Sequence, residues 1–141
     1  MPENDNIIQA QESDYLYVQT SQLVNAGKGL FTAIPIYKDE IIAYYGGEIL
    51  SEKEVKKRMI ANKDQYFINL LDGTTLDSID SNCFAKYAND AKGLMLTNFK
   101  NNANISLDDS QKVCLIASKN IKTGEEILCS YGKKYWKKYK N

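Results

Sequence analysis

The sequence predicts a mainly β domain with short helices, and three observations point there. Short apolar runs rich in strand formers recur along the chain, each bounded by Gly, Asn or acidic turn residues. One stretch alone carries a clear helix-start signal. The third is size: 141 residues, 43% hydrophobic and 26% charged, suffice for one domain with a real core but not for two.

Residues 1–14 are polar and acidic apart from Ile7 and Ile8, and read as an N-terminal tail that matches neither a signal peptide nor a membrane span. Residues 15–18 alternate as a strand, Gly27-Lys28-Gly29 breaks the chain, and Leu30, Phe31, Ala33 and Ile34 resume it. Pro35 bars a continuing central strand, and Lys38-Asp39-Glu40 turns into the apolar run 41–45, which Gly46-Gly47 ends. Ser51 and Glu54 have capping-box spacing, so a helix is predicted over 52–61, carrying Val55, Met59 and Ile60 at helical spacing and the chain's sole arginine, Arg58. Residues 65–70 and 74–76 form a predicted hairpin around Asp72-Gly73. Residues 80–87 suggest one or two helical turns. From 90 to 109 periodic signals are weak, turn residues many and only short strands possible, a stretch where a binding loop could live. Residues 112–117 and 126–130 are the final predicted strands, separated by Thr123-Gly124. Residues 33–41 and 117–127 share one pattern, an acidic turn introducing an apolar run. It indicates repeated short hairpins and no long-period repeat.

Composition excludes several function classes. Eighteen basic and eighteen acidic side chains cancel, which removes the broad positive field of a general nucleic-acid binder. Histidine is absent, so imidazole acid–base pairs, Ser-His-Asp and Cys-His triads and imidazole metal sites are excluded together. Cys83, Cys114 and Cys129 are too few and too far apart for a zinc cluster, and their odd number argues against a disulfide framework. The expectation is a metal-free protein of a reducing, intracellular compartment.

Gly27-Lys28-Gly29 allows close approach of backbone to a ligand, yet it lacks the further glycine of a dinucleotide fingerprint and the ending of a phosphate loop. Alone it reads as a turn. In order, however, the chain carries Gly27-Lys28-Gly29-Leu30-Phe31, then Tyr45-Gly46-Gly47-Glu48-Ile49, Tyr66 to Leu70 with Leu76-Asp77, Tyr87-Ala88-Asn89-Asp90-Ala91, Asn101-Asn102-Ala103, and Gly124 to Gly132 with Tyr135-Trp136. This ordered set resembles the SET domain of protein-lysine methyltransferases over about residues 23–136.

The resemblance implies a β-clip fold of several small sheets with a threaded C-terminal segment. It implies S-adenosylmethionine on one face, becoming S-adenosylhomocysteine, and a substrate lysine entering by a tunnel from the other. On that reading residues 1–14 are a tail, 15–132 the SET domain, and 133–141 a basic aromatic flank. The cofactor-binding residues would be Gly27, Lys28, Gly29, Asn89, Asp90, Tyr131 and Trp136. Tyr131 and Tyr45 would be catalytic, and Tyr45, Tyr66, Tyr87 and Cys129 would bind substrate, although strand packing accounts equally for Tyr66 and Tyr87. Tyr44 is a further candidate wall. The family's cysteine-rich zinc segment is missing. In its place residues 133–140 read as a short amphipathic helix of lysines and aromatics, a solvated end, a lid over the cofactor or, less favoured, a contact to nucleic acid.

Two departures matter. Most members read Asn-His-Ser where this chain has Asn89-Asp90-Ala91, and Pro-Asn where it has Asn101-Asn102. Because that strip offers the cofactor mainly backbone groups and one amide, an active enzyme is the leading reading and an inactive peptide- or cofactor-binding module the alternative. A sulfonium already activates the methyl, so alignment and exclusion of water suffice, and Tyr131 would orient the amine. Cys129 stands two positions before Tyr131, where relatives often carry Phe or Tyr, so more than one methyl would fit, although a small buried strand residue accounts for it equally. The expected partner is a lysine-bearing protein, a histone tail above all, laid along a strand edge; Asp72, Asp77, Asp80 and Asp90 could offer it an acidic surface, although each reads slightly better as a turn residue. The protein would be nuclear or chromatin-associated if the substrate is a histone and cytoplasmic otherwise, with no membrane partner.

Overall fold

The computed structural model describes residues 7–70, 73–91 and 99–130. Within the expected N-terminal tail, Ile7 bridges Ile41 and a short helix α1 (Glu12–Tyr15) packs against the body. Strand β1 (Leu16–Thr20) pairs antiparallel with β2 (Lys28–Thr32), and β2 takes β9 (Glu126–Ile127) on its other side. The connecting turn occupies 21–27, so Lys28 and Gly29 lie inside β2 and not in the turn that the glycines predicted. Only Gly27 needs the freedom of a glycine there, at φ +72°.

A second sheet runs β10 (Cys129–Ser130), β7 (Ala103–Leu107), β8 (Val113–Ala117), β3 (Ile41–Tyr44). Strand β10 is parallel to β7 and the other pairs are antiparallel. Strand β7 is one of the short strands that the 90–109 stretch allowed, with Ala103, Ile105 and Leu107 alternating inward. The third sheet is β4 (Glu48–Leu50), β6 (Thr75–Asp77), β5 (Phe67–Asn69), so the predicted hairpin forms and gains β4. Helix α2 (Glu52–Ile60) starts where predicted. Ser51 Oγ accepts the Glu54 N–H at 3.2 Å, but the Glu54 carboxylate turns to Arg58 Nε at 3.0 Å, leaving half of the expected capping box. The turns expected before Asn89 reduce to one 3-10 turn, Ala85–Tyr87.

The final strand predicted over 126–130 is two strands of different sheets. Between them Leu128 bridges Asn89 in parallel, and Asn102 replaces ladder bonds with its side chain, accepting Leu128 N–H at 2.9 Å and donating to the Glu126 carbonyl at 3.0 Å. The chain thus passes between residues 89 and 102–103, the threading the resemblance implied. The two like-patterned stretches lie back to back. Ile36 and Ile121 exchange both backbone bonds; Tyr37 N–H reaches Glu40 Oε1 at 2.7 Å as Lys122 N–H reaches Glu125 Oε1 at 2.6 Å; Asp39 and Gly124 share positive φ. The main core joins all of this: Leu30, Ile36, Ile42, Leu115, Ile121 and Ile127 are essentially solvent-free.

Candidate active site

Of the residues that the motifs singled out, Lys28, Asn89, Cys129 and Tyr45 are brought together where the threaded segment meets β2 and the 3-10 turn. Asn89 Nδ2 donates to the Lys28 carbonyl at 3.0 Å, while the Asn89 carbonyl accepts Cys129 N–H at 2.8 Å. One asparagine therefore joins the glycine loop to β10. Gly27 is open: a Cβ there would meet nothing within 4 Å. At the two departures from the family pattern, Asn101 supplies a double clamp, its Oδ1 accepting the Ala91 N–H and its Nδ2 donating to Asp90 Oδ1, both at 2.8 Å. The strip 89–91 is held although the usual histidine and serine are missing, and Asp90 already spends a carboxylate oxygen on protein.

Tyr45, just beyond β3, is fixed by its N–H to the Val113 carbonyl at 3.0 Å, and its hydroxyl lies 4.0 Å from Cys129 Sγ. Cys129 is fully buried, and burial pushes its thiol up to about 12, opposed in part by the Tyr45 hydroxyl. It stays neutral, a small packed group and not a nucleophile. Tyr44 points elsewhere: on a strand neighbours face opposite ways, and its phenol meets Asp108 at the β7–β8 turn, where burial and that carboxylate raise it to about 12.

Tyr45 and Tyr66 line a small cavity of about 20 Å³ with Gln65, Phe67, Ile68, Lys86 and Ala88. Tyr87 does not line it. The Tyr66 and Tyr87 rings lie 5.3 and 5.4 Å from Lys86 Nζ, which also donates to the carbonyls of Ser81 at 2.6 Å and Ile79 at 3.3 Å. An internal lysine thus uses faces that the sequence offered to a substrate lysine. Two wider clefts, of about 520 and 390 Å³, touch neither Tyr45 nor Cys129.

Asp77 does not contribute to the acidic surface expected from Asp72, Asp77, Asp80 and Asp90, and Asp72 lies outside the described residues. Asp77 is buried on the middle strand of its small sheet and pairs with Arg58 Nη1 at 2.7 Å, which offsets the cost of burying a carboxylate there. Arg58 also reaches Glu48 at 3.1 Å and Glu54 at 3.0 Å, which pins α2 to the third sheet. The sole arginine of the chain was the signal for this cluster, and its spacing from Asp77 hid it. Tyr131, Trp136, Asp72 and the 133–141 flank lie outside the described residues. Among the described residues no group of three His, Cys, Asp or Glu side chains is placed to hold a metal, and no helix is long and apolar enough to cross a membrane.

Comparison with known proteins agrees with this geometry. A histone-lysine N-methyltransferase, H3 lysine-36 specific, from Eremothecium gossypii is 28% identical over 129 residues, covering 86% of this chain and 18% of the relative. Among solved structures, a chain of apo ctPRC2 bearing substitutions in Ezh2 superposes with a TM-score of 0.68 at 26% identity, over 83% of this chain and 15% of that one. The chain thus spans less than a fifth of each. The SET domain family model matches residues 27–132, about three quarters of the chain, from the open glycine loop past the threaded segment, and the chain belongs to the SET-domain family.

Proposed function

We propose that this chain transfers methyl groups from S-adenosylmethionine to a lysine side chain of a histone tail or another basic protein segment, beyond the monomethyl state. The observation that carries the reading is the meeting of Tyr45, Cys129 and Asn89 at one point, with Asn89 tied to the open glycine loop. The described residues fit the cofactor: Gly27 leaves backbone uncovered, and Asn89 and Asn101 hold the neighbouring strip in place. SET methyltransferases use S-adenosylmethionine, which supplies a methyl already activated on a sulfonium.

What this chain adds is placement. Gly27 and Lys28 would present backbone to the cofactor, with Gly29, Asn89 and Asp90 shaping the loop behind, Tyr131 at the transfer point and Trp136 against the adenine. The hydroxyls of Tyr45 and Tyr131 orient the amine, and the apolar surroundings of Cys129 favour its neutral form. Tyr66 lines the small cavity and immediately precedes β5, which is an edge strand among the described residues and suits an extended peptide. Tyr87 acts indirectly through Lys86. A histone substrate would place the protein in the nucleus.

The test pairs calorimetry of S-adenosylhomocysteine with labelling of histones and a lysine-peptide array by methyl-labelled S-adenosylmethionine. Binding together with labelled lysine is expected, and Tyr131→Phe should abolish labelling while keeping cofactor affinity. Binding without any labelled product would favour the inactive module, and absence of cofactor binding would end both readings.

A further inference from the structure

Glu126 is buried at 3% exposure, and among the described residues no cation pairs with it. Its charge is met by donors of one short loop. Oε2 accepts the Ser21 hydroxyl at 2.6 Å and Oε1 accepts the Gln22 N–H at 2.8 Å, while Ser21 Oγ accepts the Leu23 N–H at 3.0 Å. Three consecutive residues at the head of the 21–27 turn therefore hang from one carboxylate 104 positions further along the chain. The tail of the turn is closed by Ser21 N–H on the Gly27 carbonyl at 2.8 Å and by Asn89 on Lys28.

Gly29 makes room for this arrangement. A Cβ there would overlap Glu126 Oε2 and lie 3.0 Å from its carboxyl carbon and 3.1 Å from Ser21 Cα. At Gly27 the same addition meets nothing. The two glycines of one motif thus serve different ends, Gly27 the open face and Gly29 the buried carboxylate. Burying an ionised group without a counter-ion is costly unless its hydrogen bonds are made.

We infer that Glu126 is a positioning residue that holds the 21–27 turn in its cofactor-ready shape before the cofactor arrives, and that Gly29 is glycine on account of Glu126. This rests on the proposed function, in which Gly27 and Lys28 face the cofactor. A turn fixed in advance loses less conformational freedom on binding, so the effect belongs in cofactor affinity and not in the rate of transfer.

The experiment measures S-adenosylhomocysteine affinity by calorimetry, with amide hydrogen exchange at Gln22 and Leu23 and kcat on a histone peptide, in the full chain. Glu126→Gln keeps the shape but opposes a donor to one of the donors of the turn, and should weaken binding about tenfold. Exchange at Gln22 and Leu23 should quicken, with kcat within about twofold and β7–β8 amides still protected. Ser21→Ala is a gentler cut in case Glu126→Gln unfolds, and should show the same split at about threefold. Gly29→Ala should also weaken binding, and adding it to Glu126→Ala should cost less than adding it to the unmodified protein, because the overlapping oxygen is gone. Cofactor affinity unchanged within twofold while the two amides exchange freely would overturn the inference and leave the methyltransferase reading standing. No binding by the unmodified protein would remove both.

Discussion

Gly47 and Gly124 provide a controlled pair for asking what holds the tyrosine motif in place. Both have positive φ, +142° and +86°. At Gly124 an added Cβ meets nothing within 4 Å, whereas at Gly47 it would overlap the Asp77 carbonyl oxygen and approach Asp77 C at 2.8 Å and Ser78 Cα at 3.0 Å. Those neighbours are all backbone, so no side chain can swing away. Gly124→Ala should cost the conformational penalty alone, about 1–2 kcal/mol. Gly47→Ala adds an overpacking cost, giving about 2–5 kcal/mol in total. At roughly 4 °C per kcal/mol for a domain of this size, Tm should fall by about 4–8 °C for Gly124→Ala and about 8–20 °C for Gly47→Ala. Circular dichroism melts of the two variants read the difference directly. Gly47→Ala should also impair peptide turnover, since the displaced Asp77 anchors Arg58 and Gly47 lies two positions from Tyr45. Equal melting temperatures for the two variants would refute the argument that backbone overlap, and not φ, fixes this glycine.

Cys129→Tyr, which adds a phenol ring at the buried position beside the Tyr45 hydroxyl, should shift products toward monomethyl-lysine without a comparable loss of cofactor binding; mass spectrometry of a time course reads it, and strictly monomethyl product from the unmodified protein would reject the idea that Cys129 leaves room for a second methyl. Burial holds the Glu12 carboxyl above its ordinary range, against the lowering influence of the Tyr44 N–H it accepts. Ionisation is then easier in the unfolded chain, so this group costs stability once pH rises past the unfolded pKa, and Glu12→Gln should raise Tm at pH 7 with the gain vanishing in acid. An alkylating reagent should modify Cys83 in the native protein and reach Cys114 and Cys129 only on unfolding, because burial is complete at both and pushes their thiols up to about 11 and 12. Mass spectrometry that counts three early adducts would contradict that packing.

The legible parts of this fold were those with local causes. Residues 52–61 announced α2 through Ser51, and the apolar runs announced β1, β2, β3 and β8, since strand formers between turn residues speak for themselves. The motif order located Asn89, Tyr45 and Cys129 before any of them had a neighbour. What stayed hidden was set by distant partners. No pattern near Glu126 tells that it will sit under Gly29, and none near Asp77 that Arg58 will cover it, so an aspartate read as surface proved to be interior. Strand β7 was legible only as a possible short strand for a different reason: its outward residues Asn104 and Ser106 made the alternation look like a loop. Residues 126–130 read as one strand because nothing local reveals that Asn102 will interrupt the ladder at Leu128.

The threaded segment also fixes an order of events during synthesis. Strand β7 waits a shorter time for β10, but β2 needs β9 and Ser21 needs Glu126, so each of these waits for residues made about a hundred positions later. At ribosomal speeds of about 5–20 residues per second, that wait is roughly 5–20 s. Throughout it β2 presents an unpaired edge, and the 21–27 turn lacks its anchor. The strands β7 and β8 are joined by a tight turn and can pair early, which leaves the passage between residues 89 and 102–103 as the late, slow closure with long loops to constrain. A nascent chain stalled short of Glu126 would therefore expose the surfaces that its completion buries, and it is at that stage that a chaperone would meet this protein.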